Sequence, residues 1–211
     1  MTAESIHVFE QRLEAISGEC ARAFRTVAPQ LMADLEVSAF ERWANLGVTL
    51  AQGGWRAWEC AAWYFRLSPQ LFARLDLDGL AVLLEPAGRL TAHMPQLGID
   101  LLRGAARFLE HDRPVTLAEW VAAGERLLPI GRAGRVASAY FEVSPEVLPL
   151  TGLTEYQECL ALVHTLAATA EVSALELLHQ SPLRLEKIPP LARLKALRLV
   201  HALAWQVPSM A

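Results

Sequence analysis

Lysine is nearly missing: only Lys187 and Lys195 occur, and the other basic residues are arginine. The three cysteines, Cys20, Cys60 and Cys159, are far apart, odd in number and form no CxxC pair. That pattern excludes a zinc-ligand spacing and a disulfide framework, and points to small buried residues in a reducing cytoplasm. No apolar run approaches the ~18 residues of a membrane span, because His164, Arg or Glu interrupts each one. The N-terminus carries Glu4, His7 and Glu10 where a signal peptide has basic residues and then an apolar run. No alternating strand of useful length occurs. GxSxG, HExxH, GxxxxGK[ST] and a Cys–His pairing with a supporting third residue are all lacking, so no catalytic set is expected.

What is present is apolar and helical. Of 211 residues, 53% are hydrophobic and 20% charged, which argues against disorder. The richness is in Leu and Ala, both strong helix formers. The net charge of −4 gives no nucleic-acid signature.

The organising feature is a repeat. Ala62-Trp63-Tyr64-Phe65-Arg66-Leu67-Ser68-Pro69 returns as Ser138-Ala139-Tyr140-Phe141-Glu142-Val143-Ser144-Pro145, and more weakly as Leu177-Leu178-His179-Gln180-Ser181-Pro182. The segment from Phe24 to Pro29 resembles Phe65 to Pro69 with one extra residue, a divergent first copy. Serine before proline reads as a helix cap followed by a first-turn proline, so each unit is expected to be a long helix, a tight corner and a short helix. A second signature leads with Trp43, Leu84, Trp120, Leu160 and Leu197, at steps of 41, 36, 40 and 37 residues. Those steps fit helical hairpins of the HEAT or armadillo size class.

The expectation is therefore an all-α, right-handed solenoid of HEAT/armadillo-like hairpins in one domain, 1–211. Its units are 1–36, 37–78, 79–114, 115–150 and 151–189, with a terminal helix at 190–206. Residues 4–17 form an amphipathic first helix through Ile6, Phe9, Leu13 and Ile16. Asp76 caps one helix, and Thr116 with Glu119 forms a capping box for another. Gly47, Gly88 and Gly124 share one repeat position, which suggests helix crossings where backbones approach closely, since glycine within a helix costs about 1 kcal/mol against alanine. In the last helix Leu191, Leu194, Leu197, Val200 and Leu203 can face inward. Arg184, Lys187, Arg193, Lys195 and Arg198 make this end basic, a pattern that can lie on acidic membranes or acidic partners.

Candidate sites are few. Glu4 to His7 and Glu176 to His179 are Glu-x-x-His steps, the spacing used in di-iron helical bundles. Glu176, however, falls at the repeat position of Trp63, so the repeat already accounts for it. His164 and His201 are equivalent by repeat and read as core or groove residues. Gly131-Arg132-Ala133-Gly134-Arg135 reads as a helix–helix turn. No catalytic, metal or cofactor residue is assigned. The richest spot is Trp55, Arg56, Trp58, Trp63 and Arg66, the expected partner-binding surface, because Trp and Arg are over-represented at binding hot spots.

The pattern carried by Trp43, Gly47, Leu50, Ala51, Tyr64, Phe65, Ser68 and Pro69, and again by Trp120, Gly124, Tyr140, Phe141, Ser144 and Pro145, resembles a family over about residues 40–200. It is similar to the N-terminal helical repeats of bacterial proteins that end in a von Willebrand factor A domain. These are relatives of the nitric-oxide-reductase activation protein D and of the adaptor subunit of one Rubisco activase type. The resemblance implies a non-enzymatic cytoplasmic adaptor whose partner is a MoxR-type AAA+ ATPase or that ATPase's target enzyme. The chain has no Asp-x-Ser-x-Ser motif and no α/β segment, so metal-dependent adhesion does not carry over. That leaves the N-terminal part of a longer protein or a stand-alone repeat protein. The alternative is a helical ligand- or metal-binding enzyme using Glu176 and His179.

Overall fold

A computed structural model describes residues 3–111, 114–130, 132 and 134–206. Among these residues it is all-helical, with eleven α-helices, one short 3-10 turn and no strand. The helices fall into two compact units, Met1–Ala106 and Arg107–Ala211.

The first unit contains α1 (Ala3–Glu14), α2 (Gly18–Asp34), α3 (Val37–Ala51), α4 (Ala57–Phe72), α5 (Leu77–His93) and most of α6 (Pro95–Phe108). Here α1, α3 and α5 pack side by side in one layer, while α2 and α4 pack together in another. The starts of the helices follow local chemistry. Ser17 caps α2 through the Glu19 N–H, and Asp76 caps α5 through the Gly79 N–H at 2.8 Å. Phe9 and Leu13 carry the buried face of α1.

The second unit contains α7 (Leu117–Arg126), α8 (Arg135–Val147), the 3-10 turn (Leu148–Leu150), α9 (Leu153–Thr169), α10 (Glu171–Lys187) and α11 (Pro190–Gln206). In it α10 packs on α8 and α9, and α11 packs on α9. The capping box at Thr116 and Glu119 forms in full. The Thr116 N–H holds the Glu119 carboxyl below its usual range.

The two halves of the repeat build the same core device. The Trp43 indole donates to the Ser68 hydroxyl at 2.8 Å, Ser68 donates to the Tyr64 carbonyl at 2.7 Å, and the Tyr64 hydroxyl donates to the Trp43 carbonyl at 3.1 Å. All three residues are buried, so each polar group finds its partner inside the clasp. In the second unit Trp120 donates to Ser144 at 2.7 Å and Tyr140 to the Trp120 carbonyl at 3.0 Å. Tyr140 also hydrogen-bonds Tyr156 on α9. Around each clasp the rings pack alike. Phe65 meets Trp43 edge-on at 5.3 Å, and Phe141 meets Trp120 at 5.2 Å. A ring from the preceding helix stacks on each indole, Phe24 on Trp43 at 5.5 Å and Phe108 on Trp120 at 5.0 Å.

Three expectations are corrected. First, the Ser-Pro steps are not corners. Pro69, Pro145 and Pro182 lie inside α4, α8 and α10, as Pro29 does inside α2. Ser68 does not cap; it bonds back to its own helix and receives the indole of the neighbouring one. A proline in a helix interior costs ~3 kcal/mol. Here the helix continues because it buries Phe65 before the proline and Leu71 after it, each worth ~1.5–3 kcal/mol.

Second, the shared glycine position does not mark a backbone crossing. Gly47 and Gly124 make room for rings: an added Cβ would lie 2.1 Å from Phe65 Cζ and 2.2 Å from Phe141 Cζ. Gly88 is open, with only Leu50 Cδ1 at 3.9 Å. The close backbone approach is at Gly98 on α6, where an added Cβ would sit 2.8 Å from the Ala87 carbonyl oxygen of α5.

Third, few of the described side chains of α11 are buried. Leu197 is buried, but Leu191 is fully exposed and Leu199 and Val200 are exposed; the side chain of Leu203 lies outside the described ones. The charge of this end is partly structural. Arg193 donates to the carbonyls of Leu185, Ile188 and Leu150, tying α11 to α10 and the 3-10 turn. Arg198 faces Glu158 at 3.8 Å.

Candidate partner-binding surface

The expected surface divides into two clusters and a half-buried link. Trp55 is not on α4; it stands in the turn before it and is 78% exposed. Gly54 at φ +130° and Arg56 at φ 56° form this turn, and Arg56 is the one non-glycine residue with positive φ among those described. Holding a non-glycine residue there costs energy that the helix start must offset. The Arg56 guanidinium lies 5.4 Å from the centre of the Trp55 indole, and its Nε donates to Glu59 at 2.6 Å. The ring is thus held outward by a cation that is itself neutralised.

Trp58 is half-buried at the start of α4. Trp63 lies farther along α4, also half-buried, with two guanidiniums over its ring. Arg66 is 5.4 Å from the ring centre and Arg103, from α6, is 5.2 Å away. Arg66 also binds Glu19 of α2 at 2.8 Å. The sequence placed Trp63 and Arg66 one helical turn apart; it gave no sign of Arg103, which arrives from another helix.

Beside the Trp55 turn runs an apolar groove of about 400 Å³ between α3 and α5. Leu46, Thr49, Leu50, Leu84, Gly88 and Thr91 line it, and the Glu85–Arg89 pair at 2.8 Å edges it. Gly53 and Ala57, on either side of the exposed indole, belong to the same groove.

The other candidates do not converge. Glu176 and His179 are both exposed, and Glu176 accepts from Gln180 at 3.3 Å. No group of three or more His, Cys, Asp or Glu stands ready for a metal among the described residues. The side chain of Glu4 lies outside those described. His164 is exposed, which takes it out of the core, whereas His201 is half-buried between Glu158 at 2.8 Å and Thr165 at 3.2 Å. Gly131 and Ala133 are outside the described residues. Beside them the Arg132 N–H donates to Glu171 at 3.1 Å and Arg135 lies 3.7 Å from it.

No family model matches the chain, and no significant match exists among curated proteins or solved structures. The functional reading therefore stands on the residues. All three cysteines are buried, and burial pushes Cys20 and Cys60 up to about 12 and Cys159 to about 11. Such thiols are poor nucleophiles and poor metal ligands at neutral pH. No helix among the described residues is long and apolar enough to cross a membrane.

Proposed function

We propose that this protein is a non-enzymatic helical-repeat adaptor that binds a protein partner in the cytoplasm. In this reading the hairpins stack as a right-handed, HEAT-like solenoid over 1–211. The partner class is the one the sequence resemblance implies, a MoxR-type AAA+ ATPase or its target enzyme.

The observation that carries the reading is Trp55. A large aromatic ring, held in solvent by a left-handed turn and an arginine, contributes almost nothing to folding. Tryptophan and arginine anchors of this kind dominate protein interfaces. The duplicated clasp supports the scaffold half of the reading. It uses two tryptophans, two tyrosines and two serines to fix hairpin geometry, while exposed Trp55 lies at a turn and half-buried Trp58 and Trp63 lie along α4.

The experiment is affinity capture from the source cell with the intact chain, followed by mass spectrometry, in parallel with Trp55→Ala and Trp63→Ala. An AAA+ ATPase or its client captured by the wild type and lost with Trp55→Ala is the expected result. No protein partner, with a stoichiometric metabolite or about one or two iron or manganese ions per chain as in di-iron bundles, would overturn the reading in favour of an enzyme.

A further inference from the structure

We infer that Trp63, Arg66 and Arg103 form a docking point for a carboxylate-rich segment of the protein partner. The inference rests on the adaptor reading and adds the chemistry of what is docked.

Two guanidiniums share one indole, Arg66 at 5.4 Å and Arg103 at 5.2 Å from the ring centre. A cation–π contact engages the guanidinium through its charge and does not use its N–H donors, as the Arg66–Glu19 pair at 2.8 Å illustrates. The ring thus fixes two long side chains in place without consuming their donors. An arginine fork held in this way is pre-organised for bidentate binding of a carboxylate.

The charge balance points the same way. Arg25 is taken up by Glu10, Arg42 by Asp78 and Arg56 by Glu59. Among the described residues Arg103 pairs with no carboxylate, and its side chain is exposed. Arg66 holds Glu19 at 2.8 Å, with both side chains open to solvent. Glu19 shows which group this fork accepts. It stands where a partner's carboxylate would sit, and an exposed pair of this kind exchanges readily because it is worth little. Arg22, exposed and one turn from Glu19 on α2, adds positive charge to the same helix face. Both guanidiniums come from mid-helix positions of α4 and α6, whereas Glu19 lies in the first turn of α2, so phosphate is the competing ligand that the test separates from a carboxylate.

The test uses the intact chain and a fluorescein-labelled decaglutamate peptide, followed by anisotropy at low ionic strength. Decalysine and inorganic phosphate serve as comparators. The wild type is expected to bind decaglutamate and not decalysine, with affinity falling as salt rises. Arg103→Glu should weaken binding about tenfold, because it sets like charges against each other. Glu19→Gln should strengthen it by roughly two- to fivefold, the range of an exposed pair. Val172→Ala, at an exposed position on α10, should leave it unchanged.

Wild-type affinity in both Arg103→Glu and Glu19→Gln overturns the inference, as does binding of decalysine. Competition by phosphate at the same concentration as decaglutamate also overturns it and makes this a phosphate site. Should Arg103→Glu fail to fold, Glu19→Gln decides alone. Loss of the decaglutamate result with the protein partner still captured sinks this inference and leaves the adaptor reading standing. Normal decaglutamate binding with no protein partner sinks the adaptor reading instead.

Discussion

The indole of Trp43 donates to the hydroxyl of Ser68 across 2.8 Å of buried interior, and the Trp120–Ser144 pair repeats the bond at 2.7 Å. Neither serine caps a helix. Removing the hydroxyl strands a buried indole N–H, which costs ~1–3 kcal/mol, more than the ~1 kcal/mol of a lost cap. Ser68→Ala and Ser144→Ala are each expected to lower stability by about that ~1–3 kcal/mol, read from urea unfolding. In the background of Trp43→Phe, Ser68→Ala should cost clearly less. Equal costs in both backgrounds would show that the bond contributes nothing.

The glycines at one repeat position should respond with opposite signs. Gly88→Ala adds a methyl in ordinary contact with Leu50, and should stabilise by up to ~1 kcal/mol through helix propensity. Gly47→Ala and Gly124→Ala drive a methyl into a packed ring, and overpacking costs ~1–3 kcal/mol. Thermal melts of the three variants separate these outcomes. A stabilised Gly47→Ala would mean that Phe65 does not rest on the glycine.

Phe65 and Phe141 are fully buried at equivalent places. Phe65→Ala and Phe141→Ala are each expected to cost ~3–5 kcal/mol. A severe effect at one and a neutral effect at the other would break the equivalence of the two hairpins.

Alkaline pH should destabilise the fold. Burial raises Cys20 and Cys60 from 9.0 to about 12, and Cys159 from 9.0 to about 11. Burial also raises Tyr64 and Tyr140 well above their ordinary range. Each group binds its proton more tightly folded than unfolded. Their contribution is therefore complete below pH 9 and is lost as the pH rises toward 12. The urea midpoint at ~pH 10.5 should lie below that at ~pH 7.5. Folded protein at ~pH 8 should also resist a thiol reagent, while the unfolded chain reacts. Rapid labelling of the folded chain would contradict the burial.

Much of this fold is written in the sequence. The spacing of Trp43 to Trp120 and of Phe65 to Phe141 reveals the duplication, because one helix pair has one way to bury a large ring against glycine. The caps at Asp76 and Thr116 are local chemistry and read correctly. The Ser-Pro step misleads for a physical reason: its usual meaning is local, whereas here the serine answers an indole 25 residues away. Gly88 misleads because a shared position need not face a shared ring. Phe108 escapes notice because it precedes its tryptophan by 12 residues while Phe24 precedes its own by 19. Of the candidate surface, Trp55, Arg56, Trp63 and Arg66 were visible as composition. Arg103 was not, because its place beside Trp63 depends on how α6 meets α4.

The clasp also bears on how the chain acquires its shape. Its bonds between helices α3 and α4, and between α7 and α8, join residues 20 to 25 positions apart. Loops of that size close quickly and at small entropic cost. Each copy can organise as soon as its own two helices exist, without waiting for the rest of the polypeptide. A chain emerging from the ribosome would therefore shield Trp43 before Trp120 has been synthesised, which shortens the time that either indole spends as a sticky surface.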